Sequence, residues 1–205
     1  CGDLLRPHFY EITPDERKTQ RMVTIGFLES RSIARGMSAA DAMLKAADVR
    51  LIRAGVSCPG KYTVLIAGEV SAVQAAIEAG EAAAEKFVTG KTVLARLDPQ
   101  VVRALEHKTP PQPYNAVGVV ECSNITGSVL GADAAVKAAD VVLLELRLGN
   151  GIGGKSYLVV TGDVAAVSAA VEVASAKAQE SGRLLEAVVI PRPDKSLFRG
   201  LTEEG

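Results

Sequence analysis

The residues of this chain best suited to chemistry lie in two glycine-rich stretches. Gly55 to Lys61 reads GVSCPGK, and Gly149 to Lys155 reads GNGIGGK. Both end in Gly-Lys and run into an apolar segment, but only the first holds a cysteine, Cys58. A thiolate is a ligand for soft metals and for iron–sulfur clusters. Pro59 follows the thiol, as proline follows the last cysteine of a ferredoxin motif. Gly55 and Gly60 let backbone come close, and the amides of Gly60 and Lys61 are candidate donors to a ligated sulfur. From the residues alone, a lone cysteine before Pro-Gly is more usually a small loop thiol that holds no metal. Zinc suits them poorly, because one cysteine per chain falls short of the usual four ligands and neither His8 nor His107 has metal-ligand spacing.

The second stretch, with Ser156 after Lys155, matches the spacing of a phosphate loop when counted from Gly149. It leads into a strand, so no helix N-terminus would face a phosphate, and a plain hairpin is the better reading. Glu29 and Glu121 stand at matching places near strand ends and read as hydrogen-bond acceptors rather than as a catalytic pair. Cys122 reads as a packing residue. No nucleophile–histidine–acid set can be assembled, so the sequence argues against an enzyme.

Composition narrows the classes further. The formal charge of the 205 residues is −1, with no basic surplus to drive nucleic-acid or membrane binding. Hydrophobic residues make up 48%, much of it alanine and valine, while aromatics are 4% and Trp is absent. Such a chain builds thin, closely packed layers rather than a bulky core with large pockets. No apolar run is long enough to span a bilayer, and nothing resembles a signal peptide. Cysteines at 1, 58 and 122 are odd in number and do not form a disulfide framework. A cytosolic protein with reduced thiols is expected.

The elements that must position the two loops come as a repeat. DAMLKAAD at Asp41 to Asp48 returns as DAAVKAAD at Asp133 to Asp140, 92 residues on, and IGFLES at Ile25 pairs with VGVVEC at Val117 at that same offset. From Gly60 and Gly154 onward the offset is 94, so the second copy gained two residues between Asp140 and Gly154. A length change between aligned blocks marks a loop. Each copy reads strand, helix, strand, glycine loop, strand, Ala-rich helix, strand. That is the βαββαβ order of a ferredoxin-like unit, making the chain α+β with two such domains in tandem. The expected boundaries are an N-terminal arm at 1–22, a first domain at 23–105, a linker at 106–115 containing Pro110, Pro111 and Pro113, and a second domain at 116–205. Pro99 and Pro191 read as the starts of short tails, and Met37, Met43 and Leu44 as core residues.

Four blocks together resemble the bacterial microcompartment shell domain: Asp41 to Asp48, the glycine hairpin running into a strand, GEVSAV at Gly68 to Val73, and IPRP at Ile190 to Pro193. The likeness covers about Val23 to Leu201, in two copies, and so is similar to the tandem-domain shell proteins. The Cys58 loop beside Gly151 to Lys155 resembles the iron–sulfur member of propanediol-utilisation compartments; the arm at 1–22 departs from it. The resemblance implies a homotrimer that mimics a hexamer and tiles edge to edge with other shell proteins. Ser57, Cys58, Pro59 and Gly60, with Gly151, Ile152, Gly153 and Gly154, would line a central pore. Three Cys58 thiolates, one per chain, would hold a single 4Fe–4S cluster on the threefold axis, with one iron left to a non-protein ligand. A second thiol per chain would crowd that ring. The cluster would serve electron transfer or redox sensing across the shell, with a redox partner enzyme in the lumen or cytosol. Lys45, Lys137 and Arg192 would pack neighbouring tiles. A metal-free tile whose pore conducts small metabolites is the alternative, and a trimeric small-molecule-binding regulator shares the fold.

Overall fold

The computed structural model describes residues 23–106, 109, 115–149, 151–180 and 184–194. The arm at 1–22, most of the 106–115 linker and the end of the chain lie outside the described residues. The first domain runs β1 (Val23–Ser30), α1 (Ile33–Ala46), β2 (Arg50–Ser57), β3 (Lys61–Gly68), α2 (Val70–Ala84), a single 3-10 turn at Glu85–Phe87 and β4 (Val88–Leu97). A short helix follows, α3 (Pro99–Leu105). The second domain runs β5 (Ala116–Cys122), α4 (Ile125–Ala138), β6 (Val142–Leu148), β7 (Ser156–Gly162), α5 (Val164–Glu180) and β8 (Leu184–Pro191).

Each domain is one four-stranded sheet, ordered β2-β3-β1-β4 and β6-β7-β5-β8, with every paired neighbour antiparallel. This is the ferredoxin-like arrangement expected from the repeat. The inner strand β3 carries the run YTVLIA, apolar but for Thr63, and is buried along that whole length. α1 and α4 begin alike: Ser32 accepts from the amide of Arg35, and Asn124 accepts from the amide of Gly127. These caps satisfy amides that the first turn of a helix leaves unpaired.

The helices sit close to the sheets because glycine underlies them. A Cβ on Gly118 of β5 would collide with Val171 Cγ2 and lie 2.9 Å from Val167 Cγ1, both on α5. Its counterpart Gly26 in β1 meets Val73 of α2 at 2.8 Å in the same way. Alanine and valine on the helices and glycine beneath them give the thin layers that the composition implied. Met43 is fully buried in this packing, whereas Met37 and Leu44 are exposed, contrary to the core role expected of them. A helix that buries Gly36, Ala39, Ala40 and Met43 presents one narrow stripe inward, and Met37 and Leu44 lie off it.

Pro99 does not start a tail. It occupies the first turn of α3, where its missing N–H costs nothing, and the Asp98 side chain caps the helix by accepting from the amide of Gln100 at 2.8 Å. Val101, Val102 and Leu105 of α3 are buried in one apolar cluster with Ile25, Leu65 and Leu97 of the first domain and with Leu143 and Leu146 of the second. The helix is therefore a wedge that joins the two domains into a shared core.

The Gly118 contact gives a clean test of this packing. Gly118→Ala is expected to destabilise the protein by about 1–3 kcal/mol through overpacking. Gly90→Ala, where the nearest atom is Phe27 Cε1 at 3.8 Å, should be neutral or slightly stabilising. Chemical denaturation of the two variants side by side checks it, and equal midpoints would contradict the packing described.

Candidate functional site

The site is built from two hairpin turns. In the first, Ser57 pairs with Lys61, leaving Cys58, Pro59 and Gly60 as a three-residue loop. Gly60 adopts φ +68°, the left-handed conformation that such loops require at their third residue. The Cys58–Pro59 bond is cis. Pro59 and Gly60 are exposed, and Cys58 is a free, half-buried thiol. Ser57 points inward, and its buried Oγ has no hydrogen-bond partner among the described residues.

In the second, Leu148 pairs with Ser156, so the longer loop spans 149–155, and the extra length falls within the interval expected from the sequence offset. The Gly149 amide donates to the carbonyl of Lys155 at 2.8 Å, and the Lys155 amide donates to the carbonyl of Ile152 at 3.2 Å. Gly149, Gly151, Gly153 and Gly154 all have φ between +66° and +84°. Side chains with a Cβ resist that region, which explains why four of the seven loop residues are glycine.

The two loops meet within one chain. A Cβ on Gly154 would lie 3.3 Å from the carbonyl oxygen of Cys58 and 4.0 Å from Pro59 Cδ, and a Cβ on Gly149 would lie 4.0 Å from Ser57 Cβ. The glycine loop is thus a bare seat against which the cysteine hairpin rests. On the outward side, Gly60, Gly151 and Gly153 have no neighbouring atom within 4 Å of an added Cβ.

The lysine closing each loop turns back onto its own sheet. Lys61 Nζ donates to Glu29 Oε1 at 2.6 Å, where Thr89 Oγ1 also donates, and Lys155 Nζ donates to Glu121 Oε1 at 2.8 Å. Glu29 and Glu121 are therefore acceptors that pin the loop bases, as their repeated positions suggested. Ser156, the last residue of the phosphate-loop match, is buried at the start of β7 and shares a 2.7 Å hydrogen bond with Ser128. Ser156 is thus out of a ligand's reach, and the Lys155 ammonium is engaged by Glu121, so the pair does not present a phosphate loop. Cys122 is fully buried; burial pushes its thiol up, a hydrogen bond with Ser128 pulls it down, and the Glu121 charge raises it.

Among the described residues, no group of three or more His, Cys, Asp or Glu in one chain is placed to hold a metal. Cys58 is still chemically suited to an iron–sulfur cluster: a half-buried thiol, with bare glycines around it and open space beyond them. The remaining thiolates would have to come from other copies.

Lys45 and Lys137 lie at matching places on α1 and α4 but differ in surroundings. Lys45 Nζ meets Asp41 of its own helix at 2.7 Å. Lys137 Nζ meets Asp133 at 2.6 Å and also donates to the carbonyl of Arg96, in the first domain, at 2.7 Å. Arg192 is exposed at the end of β8, with φ +46°. Arg96, at φ +58°, is its counterpart, and the sequence reading passed over it. The signal was present, since ARLD at Ala95 to Asp98 matches PRPD at Pro191 to Asp194, 96 residues on.

The difference between the two inner cysteines has a direct consequence. In protein carrying Cys1→Ser, a thiol reagent such as Ellman's is expected to titrate Cys58 quickly and Cys122 only after denaturation. A Cys58→Ser control identifies the fast thiol, and two fast thiols, or none, would contradict the assignment.

Comparison with known proteins agrees with this geometry. The BMC domain family matches residues 24–97 and 116–193, once for each ferredoxin-like unit. The chain is 43% identical over 179 residues to the bacterial microcompartment shell protein PduT of Citrobacter freundii, covering 87% of this chain and 97% of that one. It is 32% identical over 194 residues to the carboxysome assembly protein CcmO of Synechococcus elongatus, covering 87% of this chain and 68% of that one. A crystal structure of a microcompartment protein from Desulfitobacterium hafniense superposes with a TM-score of 0.84 at 46% identity, over 87% of this chain and 99% of that one. No helix among the described residues is long and apolar enough to cross a membrane. Two matched domains in series make this chain a tandem-domain member of the BMC family of microcompartment shell proteins, a structural protein of the shell.

Proposed function

We propose that three copies of this shell protein close into one pseudohexameric tile, in which the Cys58 thiolates meet around a central pore and hold one 4Fe–4S cluster. The observation that carries the reading is the seating of Cys58: one half-buried thiol per chain, at the tip of a hairpin whose carbonyl rests on Gly154 of the other domain. Cysteine and glycine loops would then alternate around the ring, three of each. The glycine loops leave room that any side chain would fill.

A cluster bound there supplies one-electron exchange. The chain's residues do the rest. Cys58 provides the thiolate, and the amides of Gly60 and Lys61 are the proposed donors that tune it. The Glu29–Lys61 and Glu121–Lys155 pairs hold both loop bases, so that the tips need not carry their own packing. The role follows from position: electron transfer or redox sensing across the shell, with a partner enzyme in the lumen or the cytosol. Contacts between tiles fall to the rim, where Lys45, Lys137 and Arg192 are exposed.

Iron and acid-labile sulfide analysis after anaerobic purification, with low-temperature EPR, tests this. About four irons and four sulfides per three chains are expected, lost in Cys58→Ser while the fold persists. Failure to bind iron even after anaerobic reconstitution would overturn the cluster and leave a metal-free tile whose pore passes small metabolites.

A further inference from the structure

Ser57, the residue before Cys58, is 4% exposed, and its buried Oγ has no hydrogen-bond partner among the described residues. The other buried serines are satisfied. Ser30 Oγ donates to the carbonyl of Ser32, and Ser128 and Ser156 share a hydrogen bond. The buried hydroxyls of Thr63 and Thr161 donate to the carbonyls of Gly55 and Ala116. A buried hydroxyl without a partner costs more than an ordinary hydrogen bond returns, so this one calls for a reason.

Its place in the fold supplies one. Ser57 pairs with Lys61 at the base of the first loop, and Gly149 is bonded to Lys155 at the base of the second. Ser57 and Gly149 are 92 residues apart, the offset of the repeat, so they are counterparts. They also meet, since a Cβ on Gly149 would lie 4.0 Å from Ser57 Cβ. Where the second copy has no side chain, the first has a hydroxyl, enclosed where the two loops touch and one residue from the thiol. Neither loop lysine serves it: Lys61 Nζ goes to Glu29 and Lys155 Nζ to Glu121.

We propose that the Ser57 hydroxyl donates a hydrogen bond to a sulfur of the group held at Cys58 and so raises its reduction potential. A serine hydroxyl carries one donor, and thiolate and sulfide sulfurs are acceptors. Reduction adds negative charge to those sulfurs, so a donor favours the reduced state more than the oxidised one. The orphaned hydroxyl is then a donor set in place ahead of its acceptor. Ser57 is a positioning and tuning residue, not a ligand. The inference rests on the cluster reading above and adds to it the side chain that sets the potential.

The test is an EPR-monitored redox titration of the anaerobically reconstituted full chain. Ser57→Ala is expected to disfavour reduction about three- to tenfold, a fall of about 30 to 60 mV for a one-electron couple. Ser57→Val should fall likewise. Ser57→Thr, which matches valine in volume but keeps the hydroxyl, should stay near wild type. In metal-free protein the unfolding midpoint of Ser57→Ala should be no lower than that of wild type, because no bond is lost. Equal potentials in all four proteins, or threonine and valine moving together, would overturn the inference and leave the cluster in place. A clearly lower midpoint for metal-free Ser57→Ala would overturn it too, by showing that the hydroxyl already has a partner. Wild-type protein that takes up no cluster would sink this inference and the cluster reading together.

Discussion

The arrangement depends on one carboxylate. Asp133 uses one oxygen to accept the amide of Asp98 and the other to hold Lys137, whose ammonium then reaches the carbonyl of Arg96. Hydrogen bonds to a charged group are worth roughly 1.5–3 kcal/mol each when partly shielded from water. Here they hold the start of α3 against the second domain, and α3 buries Val101, Val102 and Leu105 in the core that both domains share. Without that joint the two ferredoxin-like units would be beads on a proline-containing linker. With it they keep a fixed mutual orientation, and the hairpin of one is pressed against the glycine loop of the other.

That orientation gives the loops unequal tasks. The cysteine hairpin is short, three residues between paired Ser57 and Lys61, and so displays its thiol rigidly. The second loop is longer and adopts left-handed backbone at four glycines, which brings it under the Cys58 carbonyl without a side chain in the way. The lysines at the base of each loop are tied to Glu29 and Glu121, which keeps their charge off the tips. A duplicated gene product can specialise its copies in this way, whereas six identical subunits around a ring could not place three thiols rather than six.

Much of this was legible in the sequence, because the chain carries its own alignment. The repeat of Asp41 to Asp48 at Asp133 to Asp140 fixed the element order, and the two-residue change of offset located the variable loop. Matching positions also separated Glu29 and Glu121 from a catalytic pair. Four things were not read, the match of Arg96 to Arg192 among them. Pro99 was taken for a stop, although Asp98-Pro99 ahead of Val101, Val102 and Leu105 is a capped helix start, because the segment is only seven residues long. Met37 and Leu44 were taken for core because hydrophobicity alone does not say that they lie off the narrow stripe of Gly36, Ala39, Ala40 and Met43 that the helix buries. The contact between Cys58 and Gly154 depends on how two domains dock, and nothing local in either loop encodes it.

The central claim is that the thiols of this shell protein converge. A crystal structure of anaerobically reconstituted protein, with anomalous data collected on both sides of the iron edge, tests it most directly. The account predicts one iron-containing feature on a threefold axis, with a Cys58 Sγ from each of three chains at bonding distance and the Gly151 to Gly154 loops between them. Three Cys58 sulfurs far apart, or close together around an axis with no iron signal, would contradict it.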